Sequence, residues 1–183
     1  LLHLRIPDQE LWDPISEHFI TVKGGELDLE HSLEAVSKWE SKWHIPFHDA
    51  KKEKTYEQNI DYIRCMTLTP NVNPDIYNYL TEENVKQIMD YISDPATATW
   101  INDGGKRGGP KQVTTAELIY YWMTVYNIPE SYQRWHLNKL LMLLRVAAEK
   151  NSEAYGKKPK VGNSAAQRRA LNAARRKKYG TRG

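Results

Sequence analysis

Six histidines, one cysteine and one glycine-rich stretch are the residues of this 183-residue chain whose chemistry could go beyond packing. Glu40, His44 and His48 stand four residues apart, the spacing at which one helix presents zinc ligands on one side, but Pro46 interrupts any helix that would carry both histidines. His31 precedes Ser32, where a helix starts, and reads as part of a polar cap. His136 sits in Arg134-Trp135-His136-Leu137 and reads as a hydrogen-bonded core histidine. Cys65 lies beside Ile63 and Met66 in a helical pattern, as a structural thiol does, and has no second cysteine for an internal disulfide. There is no Gly-x-Ser-x-Gly elbow. Gly104-Gly105-Lys106-Arg107-Gly108-Gly109 lacks the Gly-Lys-Ser/Thr ending with which a P-loop holds phosphate, and reads as a loop. These readings predict no enzyme, no metal and no cofactor.

Charge divides the chain more sharply than its formal net of +3 suggests. Residues 156–183 hold ten Lys and Arg and no acid, leaving 16 basic and 23 acidic residues in positions 1–155, a net of −7. An acidic body with a basic arm points to nucleic acid, an acidic protein surface or a neighbouring copy as partner. For nucleic acid the arm offers phosphate contacts but only Tyr179 for stacking. Six Trp and eleven Tyr are many for this length, and aromatics serve both cores and interfaces. No run approaches the roughly 18 apolar residues of a membrane helix. The opening Leu-Leu-His-Leu-Arg-Ile-Pro does not read as a signal peptide, and a single cysteine fits a reducing compartment.

Elements that would position these residues follow from periodicity. Phe19–Lys23 and Glu26–Glu30 alternate around Gly24-Gly25, which predicts a β-hairpin with a Gly-Gly turn, and Leu2–Ile6 offers a third strand. From Ser32 the period becomes helical, with Leu33, Val36, Trp39 and Trp43 on one stripe up to Ile45-Pro46. A second helix runs from Thr55 through Ile60, Tyr62, Ile63 and Met66. Asn73-Pro74 starts a short one, and Thr81 opens another with Val85, Ile88, Met89 and Ile92 as its stripe. Residues 102–111 form a Gly-rich loop. Two strongly apolar helices follow, one after Thr115 with Leu118, Ile119, Tyr121, Trp122, Met123 and Val125, the other holding Trp135, Leu137, Leu140, Leu141, Leu143, Leu144 and Val146. Both are expected to be central. Gly156–Asn163 reads as a linker and Ser164–Lys178 as an Ala/Arg helix, marginal alone.

Read as one string, several blocks resemble a known family. They are Leu29-Glu30-His31-Ser32-Leu33, Ser37-Lys38-Trp39-Glu40-Ser41-Lys42-Trp43 with Pro46-Phe47, and Asp61-Tyr62-Ile63-Arg64-Cys65-Met66-Thr67. Further blocks are Thr115-Ala116-Glu117-Leu118-Ile119-Tyr120-Tyr121-Trp122-Met123, Trp135-His136-Leu137-Asn138-Lys139-Leu140-Leu141, and the ending Arg169-Ala170-Leu171-Asn172-Ala173-Ala174-Arg175-Arg176. Together they resemble the tail assembly chaperones of long-tailed bacteriophages. The resemblance implies a helical adaptor that binds the tape-measure protein non-covalently, keeps it soluble and gives way as tail-tube protein polymerises. It implies action in the cytoplasm of the infected bacterium. A structural virion protein of the neck or tail, and a nucleic-acid-binding protein acting through the basic arm, are the alternatives.

The resulting expectation is a mainly α protein. It has an N-terminal β-hairpin region (1–31), a helical domain (32–155) and a basic, partly helical C-terminal tail (156–183). By residue type, Trp39, Trp43, Tyr62 and Tyr120 are the expected partner groove. Arg168, Arg169, Arg175, Arg176, Lys177 and Lys178 are the expected electrostatic arm. Tape-measure and tail-tube proteins are the expected partners, with self-association left open and no membrane contact.

Overall fold

The computed structural model describes residues 1–15, 17–49, 52–99, 101 and 113–155. The chain divides into two units, Leu1–Arg145 and Val146–Gly183. In the first lie four strands, β1 (Leu2–Ile6), β2 (Gln9–Asp13), β3 (His18–Val22) and β4 (Gly25–Leu29). They are followed by α1 (Leu33–Trp43), α2 (Tyr56–Met66), a 3₁₀ helix (Pro74–Tyr79), α3 (Glu82–Ser93), α4 (Ala116–Val125), a second 3₁₀ helix (Glu130–Arg134) and the start of α5 (Leu137–Tyr155). The last residues of α5 belong to the second unit.

The mainly α expectation is corrected by the strands. β1 pairs antiparallel with β4 and β2 with β3, giving two two-stranded sheets in an α+β arrangement. An N-terminal β-hairpin is present as expected, with Leu2–Ile6 as one of its strands, but Gly24-Gly25 is not its turn. Leu2 pairs with Leu29, Ile6 with Gly25, Gln9 with Val22 and Asp13 with His18, one continuous register across both sheets. The two sheets are therefore the inner and outer halves of one long ribbon, and the chain reverses between Asp13 and His18, where Glu17 takes φ 53°. Burial selects this register over the local one. Leu4, Ile6, Leu27 and Leu29 all fall on the core face, while His3, Arg5, Glu26 and Asp28 face out. Gly24 sits at the break between halves, where a Cβ would lie 2.0 Å from the Ile6 carbonyl oxygen. Its glycine serves this close backbone approach rather than a turn.

β4 continues as the spine of the fold. The Asp28 carbonyl accepts from Leu68 N–H (2.8 Å), Glu30 N–H donates to the Met66 carbonyl (2.9 Å), and the His31 carbonyl accepts from Leu137 N–H (2.7 Å). α1, N-capped by Ser32 and packed against α2, α4 and the 130–134 turn, lies at the centre. Leu33, Val36 and Trp39 on α1 meet Ile60, Ile63 and Met66 of α2, Ile88 of α3, Ile119 and Met123 of α4, and Leu137, Leu140 and Leu144 of α5 in one core cluster. The two capping boxes, Thr55 with Gln58 and Thr81 with Asn84, start α2 and α3.

Two helices are less enclosed than their composition predicts. Val85 and Met89 of α3 are exposed, leaving Ile88 as its buried apolar residue. Tyr121 and Val125 of α4 are also exposed, so α4 lies with one side toward solvent rather than at the centre.

Buried polar groups join these pieces. Glu40 of α1 accepts the backbone N–H of Phe47 through Oε1 (2.7 Å) and that of Ala116 through Oε2 (2.7 Å), fixing the loop after α1 and the start of α4 together. Removing a buried acceptor of two backbone donors leaves both unpaired, at roughly 1–3 kcal/mol per group. Glu40→Ala is expected to lower the unfolding free energy by about 2–5 kcal/mol, measured by urea denaturation. His31 is buried against Tyr62, its Nδ1 2.5 Å from the phenol oxygen, and burial, aided by His136 and His48, holds its pKa down at about 3 from 6.5. The folded state thus disfavours a proton that the unfolded chain takes up below pH 6.5. Stability from this group is full above pH 6.5 and declines toward pH 3, at up to about 1.4 kcal/mol per pH unit. Urea midpoints measured from pH 7.5 down to 4.5 are expected to fall accordingly, and a flat profile would contradict the burial argument.

Candidate partner-binding surface

Apolar side chains reach water at several places, among them Tyr56, Met89 and Tyr121, and the outer half of the ribbon groups four of them. On one of its faces the directly opposed Trp12 and Phe19 meet edge to face at 5.3 Å, 55% and 65% exposed. Ile20 on the other face is 40% exposed, and Ile15 in the reversal is 92% exposed. Exposed apolar side chains grouped in this way can serve as a contact surface. Among the described residues no third strand joins β2 or β3, so both strands are sheet edges that offer backbone groups as well.

Local bonds hold this arm to the body. Gln9 Nε2 donates to the Tyr79 carbonyl (2.6 Å), and Asp8 accepts the Gly24 N–H (2.8 Å) beside Lys23 (3.4 Å). The Gly24 hydrogen bond and then the Lys23 charge lower the Asp8 pKa. Leu11 and Val22 are half-buried, so the arm has a supported side and a bare one.

The expected groove residues lie elsewhere. Trp39 is 0% exposed, its indole N–H donating to the Gln58 carbonyl (2.9 Å), with Phe47 edge-on at 5.3 Å. Lys54 closes the same cluster, its ammonium 4.1 Å from the Phe47 ring centre and bonded to the Phe47 carbonyl (2.8 Å). Tyr62 is buried against His31, and burial raises its pKa well above the usual value. Both aromatics are closed core, with no face left for a partner. Trp43 is half-buried and donates through its indole N–H to Asp61 Oδ2 (2.9 Å), an oxygen pair it shares with Lys42. Tyr120 is half-buried and its hydroxyl donates to Gln133 (2.8 Å). These four do not form one open groove. Arg168, Arg169, Arg175, Arg176, Lys177 and Lys178 lie outside the described residues, as does the Gly104–Gly109 stretch.

Sequence reasoning passed over Trp12, Ile15 and Phe19. Their signal was weak because Asp13-Pro14 divides the run, and a half-supported strand such as Gln9–Asp13 lacks clean alternation.

The residues with potential chemistry are engaged in packing. His44 caps the C-terminus of α1 with φ 53°, apart from the loop that carries His48. Cys65 is a half-buried free thiol whose pKa burial raises, first, and Asp61 raises further. Among the described residues no group of three His, Cys, Asp or Glu is placed to hold a metal ion, and no helix is long and apolar enough to cross a membrane. His136 donates through Nε2–H to the Tyr91 carbonyl (3.0 Å), and its ring lies 5.2 Å from that of His31. A cleft of about 300 Å³ beside α1, lined by Glu30, Ser32, Glu34, Lys38, Cys65 and Arg134, is occupied by internal ion pairs of Glu34 with Lys38 (2.8 Å) and Arg134 (3.6 Å).

No protein-family model, curated protein or solved structure matches the chain.

Exposure separates the arm from the core in stability. Trp12→Ser together with Phe19→Ser is expected to change the unfolding free energy by no more than about 1 kcal/mol, whereas Trp39→Ala is expected to cost about 3–5 kcal/mol. Parallel urea titrations check the contrast.

Proposed function

We propose that this chain is a tail assembly chaperone of a long-tailed bacteriophage, acting in the infected cell by non-covalent capture of the tape-measure protein. The observation that carries the reading is the ribbon arm, on which Trp12, Ile15, Phe19 and Ile20 bare an aromatic and aliphatic surface. A long apolar client in an aqueous cell needs its hydrophobic segments covered reversibly. An apolar ribbon edge covers them by area burial and by strand addition, without covalent chemistry. The sequence blocks that resemble this family agree with such a role, and Trp12 and Phe19 supply large contact area at small entropic cost. Arrival of tail-tube protein would then compete for the client and release the chaperone.

Co-expression with the tape-measure protein of the same gene cluster tests this. The full chain is expected to keep it soluble and co-purify with it, and W12S/F19S to weaken capture at least about tenfold, or about 1.4 kcal/mol. A tape-measure protein that stays insoluble beside the unaltered chain, or is captured equally by W12S/F19S, would remove the reading.

A further inference from the structure

We infer that two copies of this chain join edge to edge along β3, antiparallel about a two-fold axis at Ile20, so that their outer ribbons form one four-stranded sheet. The two edges of the outer ribbon differ. β2 carries Glu10 and is tied to the body through the Gln9 bond to the Tyr79 carbonyl. β3 reads His18-Phe19-Ile20-Thr21-Val22, without Asp, Glu, Lys, Arg or Pro and with three β-branched residues, and His18 through Thr21 are exposed. Edge strands are usually blunted by charge, proline or a bulge. β3 has none of these, its register with β2 is unbroken, and among the described residues no further strand pairs with it.

The residues around β3 show what fits its edge. In a two-fold pairing centred on Ile20, Phe19 stands opposite Thr21 of the second copy and His18 opposite Val22. Glu17, exposed just before the strand, stands opposite Lys23, exposed just after it. The axis repeats that pair at the other end, so unlike charges close both ends of the junction. Residues opposed in this register are an even number of positions apart. Backbone groups of β3 that point away from β2 therefore meet groups that also point away. A slip of two residues would lose both charge pairs, setting Lys23 opposite Phe19 or Glu17 opposite Thr21.

Charge also favours edges over faces. Glu10 shares the exposed face with Trp12 and Phe19, since it is opposed to Thr21 one pair further along the ribbon, and laying two such faces together would enclose both Glu10 carboxylates. Edge to edge, the two β2 strands stand three strand spacings apart, about 14 Å, beyond the screening length of about 8 Å at physiological salt. A two-stranded ribbon is marginal by itself, and the junction gives it four strands. Trp12 and Phe19 of both copies then lie on the same side of one sheet, which under the proposed function would meet a longer client segment. The pairing itself does not depend on that reading, and its test leaves the client out.

Size exclusion with light scattering at about 100 μM chain, a concentration suited to a contact below about 1,000 Å², decides it. The unaltered chain is expected to be a dimer. Glu17→Lys and Lys23→Glu each set like charges at both ends and are expected to associate at least about tenfold more weakly. The double variant E17K/K23E, and a 1:1 mixture of the two single variants, restore opposite charges and are expected to return the dimer, which also shows that the altered chains are folded. Independently, Ile20→Cys, on the axis, is expected to cross-link to its counterpart under oxidation, whereas Leu11→Cys on β2 is not. A monomeric unaltered chain, single charge reversals that associate as well as the unaltered chain, charge exchange that recovers nothing, or Ile20→Cys that links no better than Leu11→Cys would overturn the inference. Client capture by an unaltered chain that stays monomeric would leave the chaperone reading standing and remove this one.

Discussion

The backbone of residues 28–31 holds the first unit together. On one edge of β4 it carries the ribbon through the pairing with β1, and on the other it receives Leu68 and Met66 from the end of α2 and Leu137 from the start of α5. A buried strand edge would otherwise leave its N–H and C=O groups unpaired, at a cost of several kcal/mol in sum. Here the ends of two helices satisfy them. That constraint fixes where α2 stops, since Thr67 is drawn into an extended bridge with Leu29, and where α5 starts, since His136 bridges Ser32.

Around this spine, side chains of opposite character do similar work. Trp39 and Leu33 fill the centre, while Glu40, one residue from Trp39, spends both carboxylate oxygens on backbone N–H groups remote in sequence. A charge buried with two donors holds position more specifically than an apolar side chain, because each bond has a direction. Asp61 follows the same logic with Lys42 and the Trp43 indole. Among the described residues Trp39, Tyr62 and Tyr77 are buried and most other aromatics are half-buried, and the indole N–H groups of Trp39 and Trp43 are given acceptors.

The helices were legible because their punctuation is local. Ser32, Thr55, Thr81 and Thr115 are N-caps as their positions predict, and Ile45-Pro46 follows the end of α1. The ribbon was not, because strand register depends on partners distant in sequence. Gly24-Gly25 carries a strong local hairpin signal, and it lost to the burial of Leu2, Leu4 and Ile6 against Leu27 and Leu29, a contrast no window of ten residues contains. The same limit applies to the candidate surface. Residue type could nominate Trp39 and Tyr62, but only the packing of Phe47, Lys54 and His31 around them shows that they are enclosed.

What remains is why a chain with an efficient core should leave Trp12, Ile15 and Phe19 in water. A lone two-stranded ribbon is marginal by itself, and the outer half is held by its continuity with the buried inner half, by the Asp8 bond to Gly24 and by Gln9 on Tyr79. Folding gains little from these aromatics, so their retention is not explained by stability of the monomer. Acidic residues around them oppose association of like surfaces and leave basic ones favoured. Exposed aromatics set among acidic residues suit a partner surface that is apolar and bordered by basic rather than acidic groups.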